Sequence, residues 1–472
     1  HRGHDVRFLS GTDDNSLKNA IAAEAEGVPT SELVDRNAAA FYGLRDPLQI
    51  SFDDFIRTSA DPRHQVGVDR LWKATDESGD LYRKDFSGLY CIGCEQFYND
   101  SELVDGRCPE HLTAPQVVNE ENWFFTLSRY EDRLRELIES GELRIEPESR
   151  RNEVLGFIKT GLQDFSISRS TERAHGWGIE VPGDPSQVIY VWWDALGNYI
   201  TALDYGTDGE NYHHWWTDSD ERTHVIGKGI VRFHAVYWPA MLLSARQPLP
   251  TTIFVHDYLT VDGRKLGKSL GNAIDPVAIV NDYGADALRW WLVRDVPRVG
   301  DADYTTDRLI GRYHEDLANG LGNLVNRTVS MIHKYRGGTV PPLPEPLPDL
   351  PLTTLIDAAP AAVDAALDRY DFRQATAAVW TIVDEANRYV VEVEPWNLAK
   401  TEKNGDTDAG RRLSDVLALL VHACRTVAEE LTPFLPEAAR RVAVQLGSGG
   451  NQLDKPQPLF PRIEVQAETA TA

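Results

Sequence analysis

The sequence predicts an α/β domain on a parallel sheet, broken by a cysteine-containing insertion and followed by an all-α C-terminal region. Three observations predict it. Short apolar runs alternate with helix-period stretches through the first half of the chain, the pattern of strands joined by helices. Cysteines and turn residues crowd into about residues 86–115, unlike the sequence on either side. From about Asp307, long segments of 3.6-residue periodicity take over.

Val6, Phe8 and Leu9 alternate into Ser10-Gly11-Thr12-Asp13, which reads as a strand ending in a turn. Asp14, Asn15 and Ser16 can cap the Ala-rich helix that follows, about Leu17 to Glu26. Beyond the insertion, Val188-Ile189-Tyr190-Val191-Trp192 reads as a strand buried on both faces. His224-Val225-Ile226-Gly227 repeats the pattern, with a helical stretch from about Ile230 to Leu243, and Thr252-Ile253-Phe254-Val255 is a third case. Helical segments are expected near 308–336, 353–369, 372–394, 410–429 and 431–445, broken by the Pro-rich connector 341–346.

Composition sets the outer limits. The 472 residues are 42% apolar and 26% charged, which excludes a disordered or fibrous chain. At roughly 100–200 residues per domain the length suggests about three units. No apolar run approaches the ~20 residues that span a bilayer, no signal-peptide pattern opens the chain, and four cysteines are too few for a disulfide scaffold. These features argue against a transmembrane or secreted protein. The net charge of −25 argues against general nucleic-acid coating but leaves room for a local basic patch gripping one structured RNA. The chain opens at His1 directly before an apolar run, as the second element of a fold would.

The sharpest metal pattern is Cys91-x2-Cys94, thirteen residues, then Cys108-x2-His111. Three thiolates and one imidazole in two tight pairs suit tetrahedral zinc, each pair supplying two ligands from one turn. With four protein ligands the site is expected to be structural. Four unrelated residues, or a redox pair, are the alternatives. The second pattern is Asp262-Gly263-Arg264-Lys265-Leu266-Gly267-Lys268-Ser269, a Gly-punctuated loop after a strand. Glycines let the backbone approach a ligand and lysines supply mobile charge for phosphate. On its residues alone it reads equally as a solvated basic loop.

Set among the other motifs, Lys265-Leu266-Gly267-Lys268-Ser269 resembles the KMSKS loop of class I aminoacyl-tRNA synthetases. Gly11-Thr12-Asp13-Asp14 resembles the GTDE segment of the methionine–tRNA ligases within that class. The resemblance continues in family order through Ser51-Phe52-Asp53, Leu89-Tyr90-Cys91, Asn122-Trp123-Phe124-Phe125, Ser166-Ile167-Ser168-Arg169 and Val191-Trp192-Trp193-Asp194-Ala195. It ends with Phe233-His234-Ala235-Val236-Tyr237-Trp238-Pro239, Asp316-Leu317-Ala318-Asn319 and Glu394-Pro395-Trp396.

The resemblance implies a Rossmann-like catalytic domain with a zinc-knuckle insertion and an all-α anticodon-binding bundle. The expected boundaries are 1–85 and 151–270 for the catalytic halves, 86–150 for the insertion, 271–306 for a stem-contact region and 307–472 for the bundle. It implies that Asp13 binds the substrate ammonium and Arg169 its carboxylate. Trp192, Ala195, Tyr199, Phe233, His234 and Trp238 line a methionine pocket, where aromatic walls suit a thioether. Gly227, Lys265 and Lys268 bind ATP, with Lys265, Lys268 and Ser269 acting on the phosphates and Mg²⁺ arriving with ATP. Asn323, Arg327, Pro395 and Trp396 read the anticodon, an Arg and a Trp suiting unstacked bases. Without the resemblance, Asp13 reads as a helix cap, the aromatic set as core, and Trp396 as a buried residue closing a helix pair.

Five departures stand out. No stretch matches the HIGH-type segment that precedes this region in the family, so about one β/α unit is expected to be absent. Gly229 stands where the family usually has an Asp for the ribose, and glycine has no side chain to accept those hydroxyls. Asn15 replaces the His of GTDEHG and Gly267 the first Ser of KMSKS, while Leu196 stands where many members carry Pro. The expectation is a cytoplasmic, monomeric methionine–tRNA ligase acting on methionine, ATP and tRNA(Met), with one structural zinc and an impaired ATP side. A diverged paralogue using another amino acid or acceptor, and an inactive RNA-binding relic, are the alternatives.

Overall fold

The structure is a computed structural model that describes residues 2–110, 112–266, 273–447 and 450–463. Its chain divides into two compact units, Asp5–His256 and His1–His4 with Asp257–Ala472.

In the first unit, strand β1 (Leu9–Thr12) runs parallel to β2 (Asp54–Arg57), Leu9 opposite Asp54 and Thr12 opposite Arg57. A second parallel group has the order Thr223–Gly227, Thr252–His256, Arg144–Glu146. Its middle strand is buried at Thr252, Ile253, Phe254 and Val255, as a strand covered on both faces must be. Among the described residues, neither β1 nor Thr223–Gly227 has a partner on its second edge. Val6, Phe8 and Val225 stand exposed at 68%, 46% and 66%.

Two expectations are corrected. The first strand begins at Leu9, so Val6 and Phe8 precede it. The apolar run at 188–192 is split between an antiparallel strand, Asp184–Ile189, and a helix, Val191–Thr201. The run had no period to separate these two outcomes, because the helix is apolar nearly all round, burying Val191, Trp193, Ala195, Leu196 and Ile200.

That helix is the hub of the core. The helix Pro62–Glu77 packs against it, started by Pro62 at its first position and by Asp61, whose carboxylate accepts from the Arg63 N–H at 2.9 Å. Trp72 meets Trp193 edge-on at 5.7 Å, and Phe125 meets it at 5.5 Å. The insertion is a four-stranded antiparallel sheet around Leu81–Cys91 and Gln116–Phe125, registered from Leu81 opposite Phe125 to Tyr90 opposite Gln116.

The second unit opens with a hairpin, Leu259–Val261 with Arg264–Lys265. Asp262 (φ 52°) and Gly263 (φ 69°) form its two-residue turn, both left-handed, as a turn matching strand twist requires. Asp303 anchors the turn, accepting from Thr260 Oγ1 at 2.7 Å and Gly263 N–H at 2.9 Å. The strand Ala302–Asp303 pairs parallel with Leu259–Val261, and the rest is mainly helical: Pro276–Tyr283 and Ala285–Arg294, then a continuous run through Thr306–Arg312, Tyr313–Gly322 and Asn323–Arg336. Pro351–Leu367, Phe372–Val393, Pro395–Lys403, Thr407–Leu431 and Pro436–Gln445 follow. Pro395–Lys403 is a helix that periodicity alone did not separate. Among the described residues no helix is long and apolar enough to cross a membrane.

Gly11 is required by a close approach: a Cβ there would lie 2.2 Å from the Ile56 carbonyl oxygen. Gly11→Ala is therefore expected to lower stability by about 1–3 kcal/mol, the usual scale of overpacking. Urea unfolding, with an unchanged m-value, measures it.

Candidate active site

The loop after β1 carries Asp13, Asp14, Asn15 and Ser16. Ser16 is the cap residue of the helix Leu17–Glu26, but its hydroxyl makes no capping bond and instead donates to Glu95 Oε1 at 2.5 Å. Asp14 N–H donates to Thr58 Oγ1 at 2.8 Å. Asn15 Nδ2 donates to the Thr58 carbonyl at 3.2 Å and to Asp194 Oδ2 at 3.0 Å. The loop is thus tied to β2, to the helix Val191–Thr201 and, through Glu95, to the insertion.

Asp13 lies beside three more acids. Solvent reaches one side of it while protein crowds the rest. Desolvation, then the charges of Asp14 and Glu95, push its carboxyl from 3.8 up to about 6, with Asn198 and Lys18 pulling the other way. Asp194 is fully buried, and burial together with the Asp13 charge pushes it well above the carboxylate range. Its Oδ1 lies 4.0 Å from His64 Nε2, and neither atom has a hydrogen-bond partner among the described residues. Burial holds His64 down at about 4, so its ring is neutral near pH 7.

Arg169, on the strand Ser168–Ser170, is 7% exposed. Its Nη1 donates to Ser166 Oγ at 2.8 Å and the Ser168 carbonyl at 2.6 Å, while Nε and Nη2 are buried without a hydrogen-bond partner among the described residues. Its guanidinium lies 4.2 Å from the Tyr190 ring centre and 4.9 Å from that of Phe97. A cation packed against aromatic faces with donors unspent is chemically fitted to an anionic group such as a carboxylate.

The helix Val191–Thr201 and the turn of wide helix Phe233–Tyr237 bring the aromatic set together. Trp192 stacks on Phe233 at 3.9 Å and 11°. The Tyr199 hydroxyl lies 2.7 Å from His234 Nε2, and His234 Nδ1 lies 3.0 Å from the Ile230 carbonyl. Since that carbonyl only accepts, Nδ1 carries the proton and Tyr199 donates. Burial holds His234 at about 4, so it stays neutral. Trp238 is fully buried, and Ala195 is 3% exposed.

Cys91, Cys94 and Cys108 converge, their sulfurs within 4.8 Å of one another and Cys94 Sγ 3.3 Å from Cys108 Sγ. Three sulfurs so close are a soft donor set of the kind zinc selects. His111 lies outside the described residues, as do Gly267, Lys268 and Ser269. Lys265 falls in the strand Arg264–Lys265. Gly227 ends the strand Thr223–Gly227, and Gly229 lies in the exposed turn that follows.

In the second unit, Asn323 and Arg327 share one face of the helix Asn323–Arg336, Asn323 being exposed. Pro395 starts a short helix, Glu394 before it being left-handed at φ 49°. Trp396 is 41% exposed, so it is not the buried residue that its composition alone suggests.

The model describing class I tRNA synthetases (M) matches residues 1–114 and 111–329. The methionine–tRNA ligase of Brucella suis is 41% identical, over 99% of this chain and 92% of that protein. That of Caldanaerobacter subterraneus is 40% identical, over 99% of this chain and 74% of that protein. The chain belongs to the methionine-type class I tRNA synthetases. Among solved structures, Mycobacterium tuberculosis methionyl-tRNA synthetase bound by methionyl-adenylate matches this synthetase with a TM-score of 0.90 and 37% identity. That match covers 97% of this chain and 92% of the other.

Sequence reading did not single out Glu95, Asp194, His64 or His224, which the structure sets in or next to the candidate site. Asp194 was in plain view within Trp192-Trp193-Asp194-Ala195, and Glu95 directly follows a metal-type cysteine. His64 and His224 carried no local pattern. The raised Asp13 carboxyl gives a prediction. A carboxyl with a folded value of about 6 against 3.8 costs stability increasingly as pH rises from about 4 to 6. Asp13→Asn should therefore be more stable than the parent above pH about 6 and equal to it at pH about 4, as thermal melts across pH would show.

Proposed function

We propose that the chain is a methionine–tRNA ligase. The observation that carries this reading is the likeness, over nearly its whole length, to methionine–tRNA ligases, including one solved with methionyl-adenylate. The chemistry of the site supports it: an acid-crowded loop suits an ammonium, a buried arginine with unspent donors suits a carboxylate, and a dry aromatic box suits a thioether.

On this reading Asp13 holds the methionine ammonium and Arg169 its carboxylate. Trp192, Ala195, Tyr199, Phe233, His234 and Trp238 enclose the side chain. A carboxylate oxygen attacks the α-phosphorus of ATP, pyrophosphate leaves, and methionyl-adenylate forms. A hydroxyl of the tRNA terminal ribose then attacks the acyl carbonyl and AMP leaves. Gly227 lies by the nucleotide, and Lys265, Lys268 and Ser269 serve the phosphates with Mg²⁺, mainly by positioning and charge stabilisation. Cys91, Cys94, Cys108 and His111 would hold one zinc, which supplies a structural cross-link. Asn323, Arg327, Pro395 and Trp396 meet the anticodon of tRNA(Met). The expected domain boundaries, monomeric state and cytoplasmic location belong to the same proposal.

On the ATP side, Gly229 offers no side-chain acceptor for the ribose hydroxyls. Gly229→Asp is therefore expected to raise the rate of methionine-dependent ATP–pyrophosphate exchange, and an unchanged rate would refute a deficit at that position.

Two further outcomes are expected. Trp396→Ala and Arg327→Ala should weaken tRNA binding by ~1–3 kcal/mol each, the scale of a lost base contact, with methionine affinity unchanged. Elemental analysis should find close to one zinc per chain, and a folded, metal-free protein would remove that assignment.

A further inference from the structure

The aromatic box has a hub that none of its wall residues supplies. His224 is the second residue of the strand Thr223–Gly227 and is 5% exposed. Its Nε2 lies 3.1 Å from the Trp238 indole Nε1. An indole nitrogen only donates, so His224 Nε2 is an acceptor and its proton sits on Nδ1. The same ring lies 4.0 Å from Tyr199, tilted by 38°, and 6.0 Å from His234. Trp216 closes the cluster from behind, 6.1 Å from His224 and 6.2 Å from Trp238.

We propose that His224 is a positioning residue for amino-acid selection, fixing the Trp238 indole by accepting its N–H and bracing the face of Tyr199. The proposal rests on the reading of this box as the methionine pocket. Tyr199 is held at two points: its hydroxyl by His234 and its ring face by His224. Trp238 is fully buried and has this one hydrogen bond for its indole, so without the acceptor it must turn or take in water. Either change moves a wall of the aromatic box, and selection between a thioether and an alkyl chain there depends on close contact. Burial also keeps His224 from protonating, which preserves the Nε2 lone pair that the indole needs.

Phenylalanine fills the space of an imidazole and can brace Tyr199, but it accepts nothing. Glutamine places a carbonyl oxygen near the position of Nε2. Equilibrium binding of methionine and of norleucine, in which a methylene replaces the sulfur, separates the two roles. His224→Phe is expected to weaken methionine by about tenfold, the scale of one buried hydrogen bond, and to shrink the preference for methionine over norleucine. His224→Gln is expected to recover most of both. His224→Phe binding like the parent, or both variants being equally weak, overturns the proposal.

Tyr199→Ala is the control for the pocket itself. If it leaves methionine binding unchanged, the pocket reading fails; if it alone weakens binding, only the His224 proposal fails. Nitrogen-15 NMR of the imidazoles in the unaltered protein tests the same point without relying on a variant folding. A neutral ring with its proton on Nδ1 is expected for His224, and a proton on Nε2 overturns the assignment.

Discussion

The hydrogen bonds around the loop 13–16 are the constraint on which the site depends. Three distant parts of the chain meet there: Thr58 at the end of β2, Asp194 in the central helix, and Glu95 from the insertion. Each contact uses a side chain or backbone group that would otherwise be buried without a partner, so none is freely lost. The arrangement concentrates Asp13, Asp14, Glu95 and Asp194 around a few residues, with Arg57 and Lys18 as the facing cations. Asp194 and Asp13 both answer this crowding with carboxyls raised above the usual carboxylate range. A cluster of that sign is short of positive charge at Asp13, the exposed one of these acids, which is where the proposed function puts the methionine ammonium.

The opposite constraint acts in the aromatic box. Burial removes charge from His224 and His234, so their lone pairs become fixed acceptors for an indole N–H and a phenol O–H. Neutral imidazoles give the Trp238 indole and the Tyr199 hydroxyl their partners without burying a charge. The two regions share one helix: Asp194 and Asn198 face the acidic loop, while Trp192, Ala195 and Tyr199 face the box. The spacing of an α-helix puts these groups within two turns of each other, and a shift of that helix would disturb both ends of the ligand together.

How much of this was legible follows from the range of each interaction. The Asp262-Gly263 turn, the Leu17–Glu26 helix and the paired cysteines are local, and their residues announce them. The helix Val191–Thr201 was hidden because its burial is nearly uniform, and Asp194 and Asn198 are too few polar residues to set a period. His64 and His224 were hidden for another reason. Their roles are set by partners 137 and 14 residues away, Thr201 and Trp238, and no spacing rule reports such a contact. The candidate site residues come from family motifs, whereas the residues that hold them in place come from geometry. Ser16 shows the difference most directly: its position says helix cap, but its hydroxyl is spent on Glu95.

That Glu95 bond makes the insertion more than an appendage. Glu95 sits one residue past Cys94, left-handed at φ 56°, its N–H donating to the Cys91 carbonyl at 2.8 Å. Its conformation is therefore set by the same turn that gathers the sulfurs. From that turn its carboxylate reaches Ser16 and Lys18, and its carbonyl takes the Tyr190 hydroxyl, one residue before the central helix begins. Tyr190 in turn lies under the Arg169 guanidinium. The path from the cysteine turn to both polar ends of the site thus runs through single hydrogen bonds and one stacked cation, all within one compact unit. Whatever fixes the three sulfurs also fixes Glu95, and through it the loop that carries Asp13 and the strand that carries Arg169. A structural cross-link at the cysteines accordingly acts on the geometry of the site while contributing no atom to it.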